Sequence, residues 1–215
     1  MDNHFETDKF PFVKARHFRH VEGKRAVRLV VIHDMEFPRT ASAAEVIAKD
    51  FATTSEVKSA HVCVDTDSIV QCVLDNDVAF AAPGANSDGI QIELAGFAKL
   101  TRKEWLSPEG VLVLNMGANA AAQYCLKYDI PVKHLTNKEL ADKKNRGLIG
   151  HVQATQVFGP KGGHTDPGPG FPWDFFLERV QKHLEARAAK LGKVQIGSMA
   201  GTPAVPSPEP AGANA

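Results

Sequence analysis

Two histidines and an aspartate, far apart in the chain, carry the most chemistry. His33 closes the apolar run Val30-Val31-Ile32, His151 follows Leu148-Ile149-Gly150, and Asp166 lies within His164-Thr165-Asp166-Pro167-Gly168-Pro169. Two imidazoles and one carboxylate, held at strand ends or in a segment locked by proline and glycine, suit a catalytic zinc. Such a site takes three rigid protein ligands and keeps its fourth position open for water. Each residue alone has an ordinary reading as well: a histidine after a strand is usually structural, and Asp before Pro-Gly favours a tight turn. Pro167, however, holds Asp166 extended and gives its carboxylate a fixed direction. The spacing is not the i, i+4 pattern of a helical zinc peptidase, so pattern alone leaves the metal open.

These residues need a scaffold, and hydrophobic periodicity supplies one. Residues 26–32 form a β-branched run that predicts a central strand delivering His33 at its C-terminal end, where open α/β sheets place their sites. Ser42-Ala43-Ala44-Glu45 has a capping-box pattern and opens a helix running to about Phe51. The runs 61–64 and 69–73, separated by Asp65-Thr66-Asp67-Ser68, predict a hairpin. A turn centred on Asp67-Ser68 sets Cys63 opposite Cys72, within reach of a bridge, although two buried thiols are the plainer reading.

Ile90, Ile92 and Leu94 alternate with Gln91 and Glu93, so the two sets occupy opposite faces of one strand. Ser107-Pro108-Glu109 starts a long helix that closes before Pro131, with Val111, Leu112, Leu114, Met116 and Ala118 as its core stripe. Leu148-Ile149 forms a short strand before His151. A last helix runs from about Trp173 to Lys190. Strands interleaved with helices predict a single α/β domain with a central mixed β-sheet flanked by helices. Residues 1–25 read as a polar arm anchored by Phe10, Phe12 and Phe18, residues 26–190 as the catalytic domain, and residues 191–215 as a Pro/Ala-rich flexible tail.

Composition excludes other classes. In 215 residues, 43% hydrophobic and 23% charged, 25 basic residues balance 25 acidic ones. That balance argues against nucleic acid as a partner. The three cysteines, Cys63, Cys72 and Cys125, are too few and too scattered for a disulfide scaffold or a cysteine-based zinc site. No apolar run is long enough to span a bilayer, and the N-terminus lacks the basic start and apolar core of a secretion signal.

Read in order, Ile32-His33, Ser59-Ala60-His61-Val62, Gly89-Ile90-Gln91-Ile92-Glu93-Leu94, Ile149-Gly150-His151 and the His164–Pro169 segment resemble the type 2 N-acetylmuramoyl-L-alanine amidases, the superfamily of the peptidoglycan recognition proteins. The resemblance covers about residues 26–185, and Asp-Pro-Gly-Pro with a following aromatic is its most specific part. It implies a peptidoglycan-recognition-protein-like amidase fold, a peptidoglycan substrate, zinc held by His33, His151 and Asp166, and Glu93 as general base. It also implies substrate contacts from His61 and Asn86. His164 stands where many relatives place a lysine that stabilises the oxyanion. A histidine there carries full charge only when protonated, so activity is expected to fall toward alkaline pH. Ala79-Phe80-Ala81-Ala82 replaces the family's Trp-His pair, a departure at the glycan contacts.

The overall arrangement resembles phage endolysin catalytic domains. A monomer is expected, held in the host cytoplasm until it is released to the bacterial cell wall. Three rival readings stand beside this one: a peptidoglycan-binding module without catalysis, a zinc peptidase cutting within the stem peptide, and a structural α/β domain with incidental histidines.

Overall fold

Short runs of β-branched and aliphatic residues form five strands: β1 Leu29–Asp34, β2 Val62–Val64, β3 Ile69–Gln71, β4 Gly89–Leu94 and β5 Gly147–Gly150. They pair in the order β3-β2-β4-β1-β5. β1 runs parallel to both β4 and β5, β2 runs parallel to β4, and β3 returns antiparallel to β2. The helices are α1 Ala43–Thr53, α2 Arg102–Trp105, α3 Pro108–Tyr128, α4 Asn137–Ala141, α5 His151–Phe158 and α6 Trp173–Lys190. This computed structural model describes residues 10–159 and 163–190; the tail expected at 191–215 lies outside them. The single α/β domain with a mixed sheet is therefore as expected.

The strand pleat sorts side chains into two cores. Val30, Ile32, Ile90, Ile92, Leu94 and Leu148 pack against Leu114, Ala118 and Ala121 of α3 and Phe176 of α6. On the other face Leu29, Val31 and Ile149 meet Ala82, Ala85, Leu135, Leu140 and Ala154. His33 continues the Leu29–Val31 row by alternation. In the parallel register Val31 pairs with Gln91 and His33 with Glu93, so all three polar side chains emerge on one face at the carboxyl end of the two central strands.

Several local expectations need correction. Ser42 precedes α1 without capping it; the Ala44 amide instead donates to Asp65 Oδ2 at 3.0 Å. The hairpin register pairs Cys63 with Val70, not with Cys72, because the turn sits one residue earlier than Asp67-Ser68. Even so, the two buried thiols approach to 3.8 Å and remain free. In α3, Leu112 is half exposed while Val113, Gly117 and Ala121 face inward, which rotates the expected stripe. Of the expected anchors, Phe10 and Phe18 pack against the core, but Phe12 is 47% exposed. Backbone bonds add to these contacts, the Val13 and Ala15 amides donating to the carbonyls of Gln71 (2.9 Å) and Cys72 (2.8 Å). α2 and α4 were not anticipated, yet both open with Thr-x-x-Glu capping boxes, at Thr101/Glu104 and Thr136/Glu139. That spacing marks short helices that hydrophobic periodicity is too brief to reveal.

Candidate metal centre and active-site cleft

The fold brings His33, His151 and Asp166 together. All three are buried, and their donor atoms lie within 4.8 Å of one another. His33 Nδ1 is 3.1 Å from His151 Nδ1 and 3.0 Å from Asp166 Oδ2, and His151 Nδ1 is 3.2 Å from Asp166 Oδ2. Each comes from a different element: the end of β1, the first turn of α5, and the loop before α6.

Local sequence explains this convergence. The Val152 amide donates to the Asp166 carbonyl at 2.9 Å, tying the start of α5 to the aspartate loop. Gly150 permits that approach, since a Cβ there would lie 2.8 Å from Pro167 Cδ. Gly168 adopts φ +88°, and a Cβ on it would collide with the Ala98 carbonyl oxygen. Only glycine fits that position. The Asp166–Pro167 peptide bond is cis.

The tautomer of His33 is set by a residue that the family likeness does not single out. Gln91 donates from Nε2 to the Ala85 carbonyl (3.1 Å), which turns its Oε1 toward His33 Nε2 at 2.9 Å. His33 therefore carries its proton on Nε2 and presents a bare Nδ1 to the cluster. With His151 Nδ1 also unprotonated, lone pairs from two imidazoles and a carboxylate point at one another, an arrangement that needs a positive charge between them. Tetrahedral ligands about 2.0–2.1 Å from a zinc ion lie roughly 3.3 Å apart, close to the separations seen. The donor set and spacing thus fit zinc. Replacing Gln91 with leucine is expected to weaken zinc binding by about 10–100-fold while the fold is kept, measured by competition with a calibrated chelator. Unchanged affinity would show that Gln91 does not orient the ligand.

A proton is the alternative occupant of that space. Burial opposes charge on His33, but the Asp166 hydrogen bond and the nearby carboxylates of Glu93 and Asp166 prevail and raise its pKa to about 9. Burial of Asp166 is in turn outweighed by its bonds to His151 and His33, which hold its carboxyl well below the usual range. Burial pushes Glu93 up to about 8, against the pull of His33.

Folded His33 and Glu93 both hold a proton more tightly than their unfolded forms. The His33 contribution to stability is complete below its ordinary value of 6.5 and lost as pH rises through about 9; Glu93 loses its own from 4.5 to about 8. With a chelator present, the melting temperature is expected to fall across this window. Zinc bound at this cluster would replace the His33 proton and is expected to flatten the decline. Parallel melting curves with and without zinc from pH 6 to 9 would contradict this exchange.

The cluster floors a cleft of about 610 Å³ that Glu93, Asn86 and His164 also line. Glu93 is half-buried, and its Oε2 has no hydrogen-bond partner among the described residues. His164 stands at the mouth, with its side chain 66% exposed and Nδ1 3.5 Å from Asp166 Oδ1. Its ring stacks on His151 with centroids 4.0 Å apart. Phe80 and Ala81, from the stretch that departs from the family pattern, form part of an apolar wall with Met35 and Phe51.

Two expected substrate contacts take different places. His61 is fully buried and does not line the cleft. Its Nδ1 accepts the Gln91 amide at 2.9 Å, and Nε2 lies 3.1 Å from the Asp77 carbonyl and 3.0 Å from Arg25 Nη2. His61 is therefore a support beneath β4, and this placement corrects its assignment as a substrate contact. Asn86 does reach the cleft, but its Oδ1 accepts the amides of Ala81 (3.0 Å) and Ala82 (2.7 Å). It shapes the wall through the backbone.

A cleft at the carboxyl ends of parallel strands, with ligand donors beside a carboxylate that burial has made basic, is the architecture of a hydrolase. The chain belongs to the N-acetylmuramoyl-L-alanine amidase family, whose model matches residues 23–169. No curated protein matches it in sequence. Among solved structures it is similar to the Staphylococcus aureus hydrolase AmiA in complex with its ligand, with 16% identity, 90% of each chain covered and a TM-score of 0.62. It is also similar to the amidase LysC from Clostridium intestinale, at 17% identity, 81% of this chain and 99% of that one, and a TM-score of 0.52. A mutant endolysin from Bacillus subtilis shares the fold at 14% identity, 80% and 99% coverage and a TM-score of 0.51.

Proposed function

We propose that this amidase is zinc-dependent and hydrolyses the amide between the lactyl group of N-acetylmuramic acid and L-alanine in bacterial peptidoglycan. The observation that carries this reading is the convergence of His33 Nδ1, His151 Nδ1 and Asp166 on one point, beside Glu93. These three residues would hold the ion; when bound, zinc polarises a carbonyl and lowers the pKa of water.

The remaining steps belong to the chain's own side chains. Glu93, made basic by burial, takes the proton of the attacking water and returns it to the departing alanine nitrogen. His164, at the mouth of the cleft, donates a hydrogen bond to the oxygen that becomes negative in the tetrahedral intermediate. Gln91 keeps His33 oriented through its contact with His33 Nε2.

An endolysin role for the chain is supported by its likeness to the Bacillus subtilis endolysin. Among the described residues, no helix is long and apolar enough to cross a membrane. Digestion of purified peptidoglycan followed by amino-terminal analysis tests the reaction. New L-alanine termini with intact glycan are expected. New termini at other stem residues would show a peptidase instead, and no new termini a binding module.

A further inference from the structure

On the zinc reading above, we infer that Gln153 is a positioning residue for the metal centre: supported by His134 and Trp173, it fixes the turn from β5 into α5 and so aims His151 Nδ1 at His33 and Asp166. The two histidines are held in different ways. His33 is oriented at its ring, by Gln91 on Nε2. His151 Nδ1 faces the cluster, and its buried Nε2 has no hydrogen-bond partner among the described residues. Metal-binding imidazoles are usually oriented through their second ring nitrogen. With no such contact, the direction of the His151 ring depends on the backbone that carries it and on the stack with exposed His164.

That backbone is held by one side chain. Gln153 is buried in the first turn of α5 and reaches back to Gly150, whose amide donates to Oε1 at 3.0 Å. This is the glutamine half of a capping box, and Gly150 has no side chain to supply the other half. Gln153 Nε2 donates to the Leu135 carbonyl. One backbone donor and one backbone acceptor leave the amide a single orientation. Its Oε1 therefore also accepts from His134 Nε2, at 2.6 Å.

The support closes through α6. The His134 ring stacks on Trp173 with centroids 3.8 Å apart and planes 11° from parallel. A Cβ on Gly150 would lie 3.5 Å from Trp173 Cζ2, so the indole packs against the residue before His151. The segment carrying His134 is itself tied to β5: the Leu148 amide donates to the Lys133 carbonyl at 2.8 Å, and the Leu135 amide to the Leu148 carbonyl at 3.0 Å. None of His134, Gln153 and Trp173 lines the cleft. They reach the ligand set from behind, without occupying the space a substrate would fill.

The test uses the full chain and reads zinc affinity by chelator competition beside the absorption spectrum of the cobalt(II) form, whose ligand-field bands report coordination geometry. Gln153→Leu is expected to bind zinc about 10–100-fold more weakly and to shift the cobalt bands. His134→Phe keeps a ring to stack on Trp173 and removes the donor to Gln153, so it should move both readouts in the same direction by less; it decides the matter alone if Gln153→Leu does not fold. Val113→Ala, in the α3 core and outside the cleft lining, should lower the melting temperature while zinc affinity and cobalt bands stay native, as they would in Gln153→Leu if Gln153 only stabilised α5. Native affinity with native bands in Gln153→Leu or in His134→Phe would overturn the inference, as would an equal loss of affinity and shift of the bands in Val113→Ala. A native chain that takes up neither zinc nor cobalt would remove the zinc reading itself, and the inference with it.

Discussion

Replacing His33, His151 or Asp166 with alanine is expected to abolish zinc retention and to lower peptidoglycan hydrolysis by roughly a thousandfold or more. The Lewis-acid contribution of a catalytic ion is several kcal/mol, and each 1.36 kcal/mol is tenfold in rate. The three positions are not equivalent in the folded protein. His33 and His151 sit at the end of β1 and the start of α5, and loss of either imidazole leaves a buried Asp166 with one fewer partner. Those two variants should also melt at lower temperature. Asp166→Ala leaves two imidazoles facing each other at 3.1 Å, close enough to share one proton between their Nδ1 atoms. Metal content by mass spectrometry, read beside lysis and melting, checks all three. Retention of one equivalent of zinc in any of them would remove that residue from the ligand set.

Glu93→Gln is expected to behave differently: full zinc content, a near-native melting temperature in zinc, and turnover reduced by about 10²–10⁴-fold, the usual span for loss of a general base. The substitution keeps shape and removes only the ability to take a proton. Glu93 is suited to that task by its place on β4, where burial raises its pKa to about 8, and a bound dication would draw the value back toward neutrality. A Glu93→Gln protein with normal zinc and near-native turnover would move the base elsewhere, and Asp34, whose pKa burial lifts to about 7, would be the next carboxylate to replace.

Much of this site is legible from residue types because its constraints are local. His33 ends a run that only a buried parallel strand accommodates. Gly150 and Gly168 are required by backbone approaches that a side chain would block, so His151 and Asp166 sit beside glycines that mark the contact. The alternation in residues 90–94 places Glu93 on the face away from Ile90 and Ile92 before any tertiary contact is known.

What escapes the sequence depends on long-range placement. Asp65 caps α1 from across the β2–β3 turn, where Ser42 has the better local pattern. His61 occupies a family position near the cleft in sequence, yet the pairing of β2 with β4 sets it level with Gln91, in the buried interior, where the Gln91 amide and the Asp77 carbonyl engage its ring. Gln91 itself looks like one polar residue on a half-exposed strand; its role emerges only when β1 lies beside β4 and sets it against His33. The near approach of Cys63 and Cys72 likewise survives a register different from the one their spacing suggests.

Anomalous diffraction at the zinc absorption edge, from crystals of the zinc-loaded chain, tests directly whether one ion is held by the three side chains. A single strong peak bonded to His33 Nδ1, His151 Nδ1 and an Asp166 carboxylate oxygen, at about 2.0–2.2 Å from each, is the expected result. A peak at another site, or none at this cluster in protein that lyses cell walls, would contradict it.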